Sequence, residues 1–170
     1  MIKYHLANRI MHWSMAILIF LLLILGFVMT NIELNNKFFY YNLHKSFGVL
    51  ILGMLILRLY FKVRYKAPKL PFKVSKIEFR LKNIVFISLY LLMFMMPLSG
   101  WLMSNAKGYS VKLFGLVLPK LTPKNAFLAE TAQLAHGYLA FMILFFISLH
   151  LFAVIKHFFY DKINIIKRIW

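Results

Sequence analysis

The chain contains six histidines, and four of them lie inside long apolar stretches: His12, His44, His136 and His150. Ionisable side chains are rare within the apolar segments of membrane helices and usually have a function there. A neutral imidazole can bind a metal ion through a ring nitrogen, and it can also exchange a proton near neutral pH. These four side chains therefore point first to metal binding or to proton transfer.

Four apolar stretches, at about residues 11–29, 43–61, 84–103 and 134–155, supply the elements that must position these histidines. Each has the roughly 20 residues that a helix needs to cross a bilayer. Hydrophobic residues make up 62% of the chain, whereas a soluble domain has roughly 45–50%. Helices are expected because a bilayer offers the backbone no water to bond. We predict one domain over residues 1–170, an all-α integral membrane four-helix bundle in contact with lipid.

The distribution of basic residues predicts the orientation of this bundle. Lys and Arg outnumber Asp and Glu by 21 to 4, and most of them lie in the N-terminal segment, residues 58–82 and the C-terminal segment. The positive-inside rule places these three segments, and therefore both termini, in the cytoplasm. The net charge does not predict a nucleic-acid partner, because the charges flank apolar runs instead of covering a soluble face. The expected location is a membrane that the chain crosses several times.

Depth within the membrane predicts which histidines meet. His136 and His150 are 14 residues apart, which places them near the same helix face and about 21 Å apart along the helix axis. The first stretch enters from the cytoplasm, so His12 lies at the inner end, and the second enters from outside, so His44 lies at the outer end. The expected pairs are His12 with His150 and His44 with His136.

Two histidine pairs at two depths suit two b-type haems, in which each iron takes one axial nitrogen from each of two imidazoles. Small residues beside a histidine would let the flat macrocycle approach. Ala16, Gly48 and Ala140 each follow a histidine by four residues and share its helix face. Ala153 follows His150 by three residues. Small residues are also common wherever membrane helices pack, so they add little by themselves.

Three other interpretations of the histidines stay open. An intramembrane histidine can simply bond a neighbouring helix. A non-haem metal site would lack ligands, because the chain has no cysteine and the acidic residues lie in loops or at span edges: Glu33, Glu78, Glu130 and Asp161. A helical transporter without haem could use the histidines as proton relays.

The sequence resembles the bacterial cytochrome b561 family, the short di-haem proteins of the inner membrane, in six segments: RIMHW (9–13), NLHKSFG (42–48), PLSGWLMS (97–104), GYSVKLFG (108–115), AHGYLA (135–140) and LHLFA (149–153). The resemblance covers nearly the whole chain. It implies a four-helix bundle in which His12, His44, His136 and His150 bind two haem b groups. Some members also have histidines early in the third helix, where this chain has none.

The resemblance also implies an activity, the oxidation of superoxide coupled to the reduction of ubiquinone. A positive outer rim would attract a small anion, and Lys45, Lys107 and Lys112 are its candidate residues. The competing interpretation is that these lysines only solvate the loops.

The candidate quinone or proton site lies at the cytoplasmic end. His157 follows His150 by seven residues and is a candidate to bond a quinone carbonyl or to relay a proton. Arg58 and Lys62 are candidates to hold a partly reduced, anionic quinone, although basic residues also snorkel at membrane edges without any such role. The alternative function is that of a cytochrome b subunit that passes electrons between the quinone pool and a periplasmic redox protein.

Overall fold

Four long α-helices dominate the computed structural model, which describes residues 2–31, 36–68 and 75–170. Their bounds are Leu6–Asn31 (α1), Lys37–Arg64 (α2), Lys76–Ala106 (α3) and Ala126–Phe159 (α4). Each is long and apolar enough to cross a membrane, so the prediction of an all-α four-helix fold is confirmed. Glu33 and residues 69–74 of the basic segment lie outside the described residues.

The helices extend beyond the apolar stretches, and their capping residues explain why. At the start of α3, the Ser75 hydroxyl accepts a hydrogen bond from the backbone N–H of Glu78, and the Glu78 carboxylate accepts one from the Ser75 N–H. The side chain of Asn125 caps α4 by accepting from the N–H of Leu128. Hydropathy marks the part of a helix that lies in hydrocarbon, whereas caps set where the helix itself begins.

The helices pack in chain order, α1 on α2, α2 on α3, and α3 on α4. A small core of Met15, Ile51, Leu55 and Met93 is buried between the first three. Many large apolar side chains face outward instead, such as Phe152, which is 68% exposed. In water such exposure would be costly, but in lipid it is the expected outer surface of a bundle.

A small β-hairpin joins α3 to α4, formed by β1 (Lys112–Leu113) and β2 (Leu116–Val117). Both residues of its two-residue turn, Phe114 and Gly115, have positive φ angles of 47° and 101°, as a type I′ turn requires. The Ser46 hydroxyl fixes the hairpin to α2. It donates to the Lys112 carbonyl at 2.8 Å and accepts from the Phe114 N–H at 3.2 Å.

The C-terminal segment returns to the start of α1. After α4, a short 3₁₀ helix at Ile165–Arg168 brings the Arg168 carbonyl to the N–H of Tyr4, at 2.9 Å. The indole N–H of Trp13 donates to the carbonyl of Ile169 at 3.0 Å. The two ends of the described chain therefore meet at the same end of the bundle.

Candidate functional site

Two pairs of histidines face each other at opposite ends of the bundle. The ring centroids of His12 and His150 are 6.3 Å apart, and those of His44 and His136 are also 6.3 Å apart. The ring planes within the two pairs are inclined by 69° and 75°. We refer to these regions as the His12 end and the His44 end. The structure thus brings the four histidines together in the two pairs that depth predicts.

The separation within each pair tests whether an iron fits between the rings. A bond from a first-row metal to an imidazole nitrogen is about 2.0–2.1 Å long, and that nitrogen lies roughly 1.1 Å from the ring centroid, so rings on opposite sides of one metal have centroids roughly 6.2–6.4 Å apart. The 6.3 Å found in both pairs lies within this range. The spacing of each pair is therefore compatible with a haem whose iron would be held by the two imidazoles.

The hydrogen bonds of His136 prepare one ring nitrogen for a metal. Its Nδ1 lies 3.1 Å from the Met96 carbonyl oxygen and 3.0 Å from the Ser99 hydroxyl. A carbonyl only accepts, so Nδ1 carries the proton and donates it. The proton is then absent from Nε2, which keeps its lone pair for a metal, as in many metal-binding histidines.

Glycines from neighbouring helices set the position of both rings at the His44 end. A Cβ on Gly100 of α3 would lie 2.9 Å from Cε1 of His136, and one on Gly26 of α1 would lie 3.4 Å from Cε1 of His44. A Cβ on Gly48, one turn after His44, would meet no atom within 4 Å. Both rings are thus packed tightly against a neighbouring helix, and there is open space one turn after His44, which would suit a flat macrocycle.

Sequence reasoning missed Gly26 and Gly100, because it searched for small residues only on the helix of each histidine. A glycine in the middle of an otherwise bulky apolar helix was the available signal.

The Nδ1 atom of His44 is a further feature of this end, since it is buried and has no hydrogen-bond partner among the described residues. A buried polar atom of this kind is uncommon unless a ligand or another group completes it.

The His12 end has the same spacing but a different hydrogen bond. Nη2 of Arg58 lies 2.9 Å from Nδ1 of His12. A guanidinium only donates, so Nδ1 accepts here, and a neutral His12 carries its proton on Nε2. Iron binding at Nε2 would require the proton to move to Nδ1 and Arg58 to turn away from it. The contact places Arg58 directly on a candidate ligand, which its position in the sequence did not indicate.

The other candidates at the His12 end contact different partners. Lys62 lies over the Tyr90 ring, with Nζ 4.4 Å from the centroid. Nδ1 of His157 lies 2.5 Å from the Asp161 carboxylate, which also accepts from Lys156. Hydrogen bonds from Lys156 and then from His157 hold the pKa of Asp161 below its ordinary value.

The three candidate lysines of the anion-attracting rim lie at the His44 end. Lys45 lies over the Tyr109 ring, with Nζ 5.6 Å from the centroid. Lys107 donates to the side-chain oxygen of Gln133. Lys112 is exposed on β1, so all three cations belong to the surface around His44 and His136.

Comparisons with known proteins agree with this arrangement. A model of the prokaryotic cytochrome b561 family matches residues 3–170. The chain is similar to cytochrome b561 homolog 2 of Escherichia coli (strain K12), with 28% identity over 98% of this chain and 90% of that protein. It is also similar to the probable superoxide oxidase CybB of Yersinia pestis, with 32% identity over 74% of this chain and 72% of that protein. The chain therefore belongs to the prokaryotic cytochrome b561 family, which comprises membrane electron-transfer proteins that contain haem b.

Proposed function

We propose that this protein is a di-haem oxidoreductase that oxidises superoxide at the His44 end and reduces ubiquinone at the His12 end. The observation that carries the proposal is the equal 6.3 Å spacing of two histidine pairs at opposite ends of one bundle. The similarity to a probable superoxide oxidase supports the choice of donor. The excess of basic residues at the His12 end supports its assignment to the cytoplasm.

Each histidine pair would bind one haem at its own end of the bundle. His44 and His136 would hold one haem, and His12 and His150 would hold the other. When bound, the haems supply a one-electron carrier at each end of the bundle. In the overall reaction, two superoxide ions lose one electron each to become two molecules of oxygen. One ubiquinone gains these two electrons and two protons to become ubiquinol.

Charge at the His44 end supports an anionic donor. Lys45, Lys107 and Lys112 surround a bundle end at which the described acidic residues include only Glu130. Positive charge around an entrance raises the local concentration of a small anion and speeds its capture, and salt weakens this effect. The rate of reaction with superoxide is therefore expected to fall as ionic strength rises.

The first experiment tests haem binding with single substitutions. Two equivalents of haem per chain are expected by the pyridine haemochrome assay. His44→Ala and His12→Ala should each leave one equivalent. His5→Ala is the matched control, because His5 stacks on Tyr65 with 3.5 Å between centroids and belongs to neither pair, and this variant should keep two. A purified, haem-supplied protein with one equivalent or none would refute the di-haem proposal.

The second experiment tests the donor. Superoxide mixed with the oxidised protein in a stopped-flow instrument should reduce haem faster than a control that also contains superoxide dismutase. Equal rates in the two samples would refute superoxide oxidation.

A second candidate function is electron transfer between the quinone pool and a periplasmic redox protein. The hairpin at the His44 end favours it, since Phe114, Leu116 and Val117 are 61%, 67% and 58% exposed. Exposed apolar residues beside a cation such as Lys112 are typical of a partner surface. This function predicts haem reduction by a protein donor and none by superoxide.

A further inference from the structure

We propose that the β-hairpin between α3 and α4 inserts its tip into the membrane leaflet at the His44 end, and that phospholipid covers this tip. The tip consists of Phe114, Leu116 and Val117, which are 61%, 67% and 58% exposed. An exposed apolar cluster of this kind marks a surface that contacts a membrane or another protein. The inference concerns a surface outside both histidine pairs and does not depend on the electron donor.

Buried polar side chains hold the loop that carries the tip. Asn105 is 2% exposed, and its amide N–H donates to the Tyr109 carbonyl at 3.0 Å, while its side-chain oxygen accepts from the Leu121 N–H at 2.9 Å. Ser46 is 5% exposed and makes its two hydrogen bonds to the hairpin itself. Because these bonds fix the backbone on both sides of the tip, the apolar side chains are held in their outward position.

The tip lies deeper in the membrane than the start of α2. The N–H of Phe114 bonds Ser46, and its ring lies 5.3 Å from the Phe47 ring, centroid to centroid. Helix α2 begins at Lys37, nine residues before Ser46, which corresponds to about 13 Å along the helix axis. The apolar stretch of α2 begins at about residue 43. Phe114 therefore lies beside the first turn of that stretch, where the headgroup region meets hydrocarbon.

The pairing across the hairpin separates two kinds of side chain. Leu113 lies opposite Leu116, and Lys112 lies opposite Val117. Successive residues of a strand point to opposite faces, so one face carries two leucines and the other a lysine and a valine. A lysine can keep its methylene stem beside apolar groups while its ammonium reaches the headgroups. The hairpin therefore suits a position at the boundary between lipid and water.

The charge of the loop complements a phospholipid surface. Residues 104–125 contain four lysines and neither Asp nor Glu. A bilayer presents phosphate groups at this level, and basic residues close to an anionic membrane surface are attracted to it. All four lysines are exposed: Lys107, Lys112, Lys120 and Lys124. The apolar tip and the cations around it thus match the two layers of one leaflet.

A soluble protein is the competing occupant of the tip. Even at roughly 250 Å² for each side chain, the upper figure for an aromatic residue, three side chains offer less than the roughly 800 Å² that each partner buries in a stable complex. The start of α2, where Phe38 is 77% exposed, extends further out than the tip, so a soluble partner would meet this helix end first. Lipid surrounds α2 at the depth of the tip, which favours lipid as its cover.

The test uses the haem-loaded protein in nanodiscs of phosphatidylethanolamine and phosphatidylglycerol. Since the chain contains no cysteine, Leu116→Cys can carry a single NBD dye. Lys120→Cys is the matched control in the same loop, and Phe152→Cys, at a position 68% exposed within α4, is the lipid reference. Lipids with a nitroxide on the upper acyl chain should quench the dye at residue 116 about twofold, nearly as strongly as at residue 152. The dye at residue 120 should lose little of its emission.

A second measurement uses the same cysteine variants without dye, so that an apolar label cannot draw the tip into the lipid. A thiol reacts as its thiolate, which forms in water, so the thiol at residue 116 should react with polyethylene glycol maleimide about tenfold more slowly than the thiol at residue 120. Equal rates, or quenching at residue 116 no stronger than at residue 120, would overturn the inference. The tip would then lie in water, free for the soluble partner of the second candidate function. Neither measurement involves superoxide or quinone, so such a result leaves the proposed function unchanged.

Discussion

Gly100 provides the sharpest test of how the His44 end is built. A methyl group at this position would lie 2.9 Å from Cε1 and 3.2 Å from Nδ1 of His136. Ordinary van der Waals contact begins at 3.4 Å, so in Gly100→Ala the ring must retreat by about half an ångström, whereas metal–ligand distances tolerate about 0.2 Å. The same movement pulls Nδ1 away from Met96 and Ser99. We expect this variant to bind one haem equivalent fewer than the parent protein, because the ring would no longer reach the iron of the haem proposed at the His44 end.

Gly53→Ala is the matched control for this substitution. Gly53 also lies within a long helix, and a Cβ there would meet no atom within 4 Å. Both variants gain about 1 kcal/mol of helix propensity, and only Gly100→Ala adds an overpacking cost of about 1–3 kcal/mol. Thermal unfolding should therefore separate the two variants by about that cost. If Gly100→Ala keeps two haems, the parent spectrum and the parent stability, the packing argument is refuted.

Three further predictions concern other parts of the molecule. If each histidine pair holds a haem as proposed, ring planes inclined by 69° and 75° would direct π donation into different iron orbitals. Low-temperature EPR of the oxidised, haem-loaded protein should then show strongly anisotropic low-spin signals, and an ordinary rhombic spectrum would contradict this geometry. Ser46→Ala removes both hydrogen bonds to the hairpin at a cost of about 1–3 kcal/mol, so amide exchange in residues 112–117 should speed up about tenfold or more. Ser148→Ala is the control, because the Ser148 hydroxyl donates to the Leu144 carbonyl within α4, and it should leave this exchange unchanged. Because the pKa of Asp161 is lowered in the folded protein, its ionised carboxylate stabilises the fold above the ordinary carboxyl pKa, and this stabilisation is lost as pH falls through the lowered value. Asp161→Asn should therefore have a lower melting temperature than the parent protein at pH 7 and the same melting temperature in strong acid. An equal difference in melting temperature at both pH values would exclude this linkage.

Helix periodicity and depth were sufficient to predict the pairing of the histidines. Apolar length placed His12 and His44 at opposite ends, and the rise of an α-helix placed His136 and His150 at matching depths. Both arguments use only distances along a helix axis. They are insensitive to how the helices rotate or pack, which is why they could be made without a structure.

The sequence could not predict which groups from other helices contact the histidines. The position of Gly100 behind His136 and the bond from Arg58 to His12 depend on the rotation of one helix against another. The hairpin of β1 and β2 was also not predicted from the sequence. Phenylalanine rarely has a positive φ angle, so Phe114 gave no turn signal, and tertiary contact with Ser46 supplies the stabilisation that local preference lacks.

Both histidine pairs take one member from α4, which follows α1 and α2 in the chain. His12 and His44 therefore enter the membrane well before either of their partners exists. If each pair holds a haem as proposed, capture of that haem follows the synthesis of α4, since a chain cut before α4 contains neither pair. Fragments that end before α4 are thus expected to bind no haem through a histidine pair.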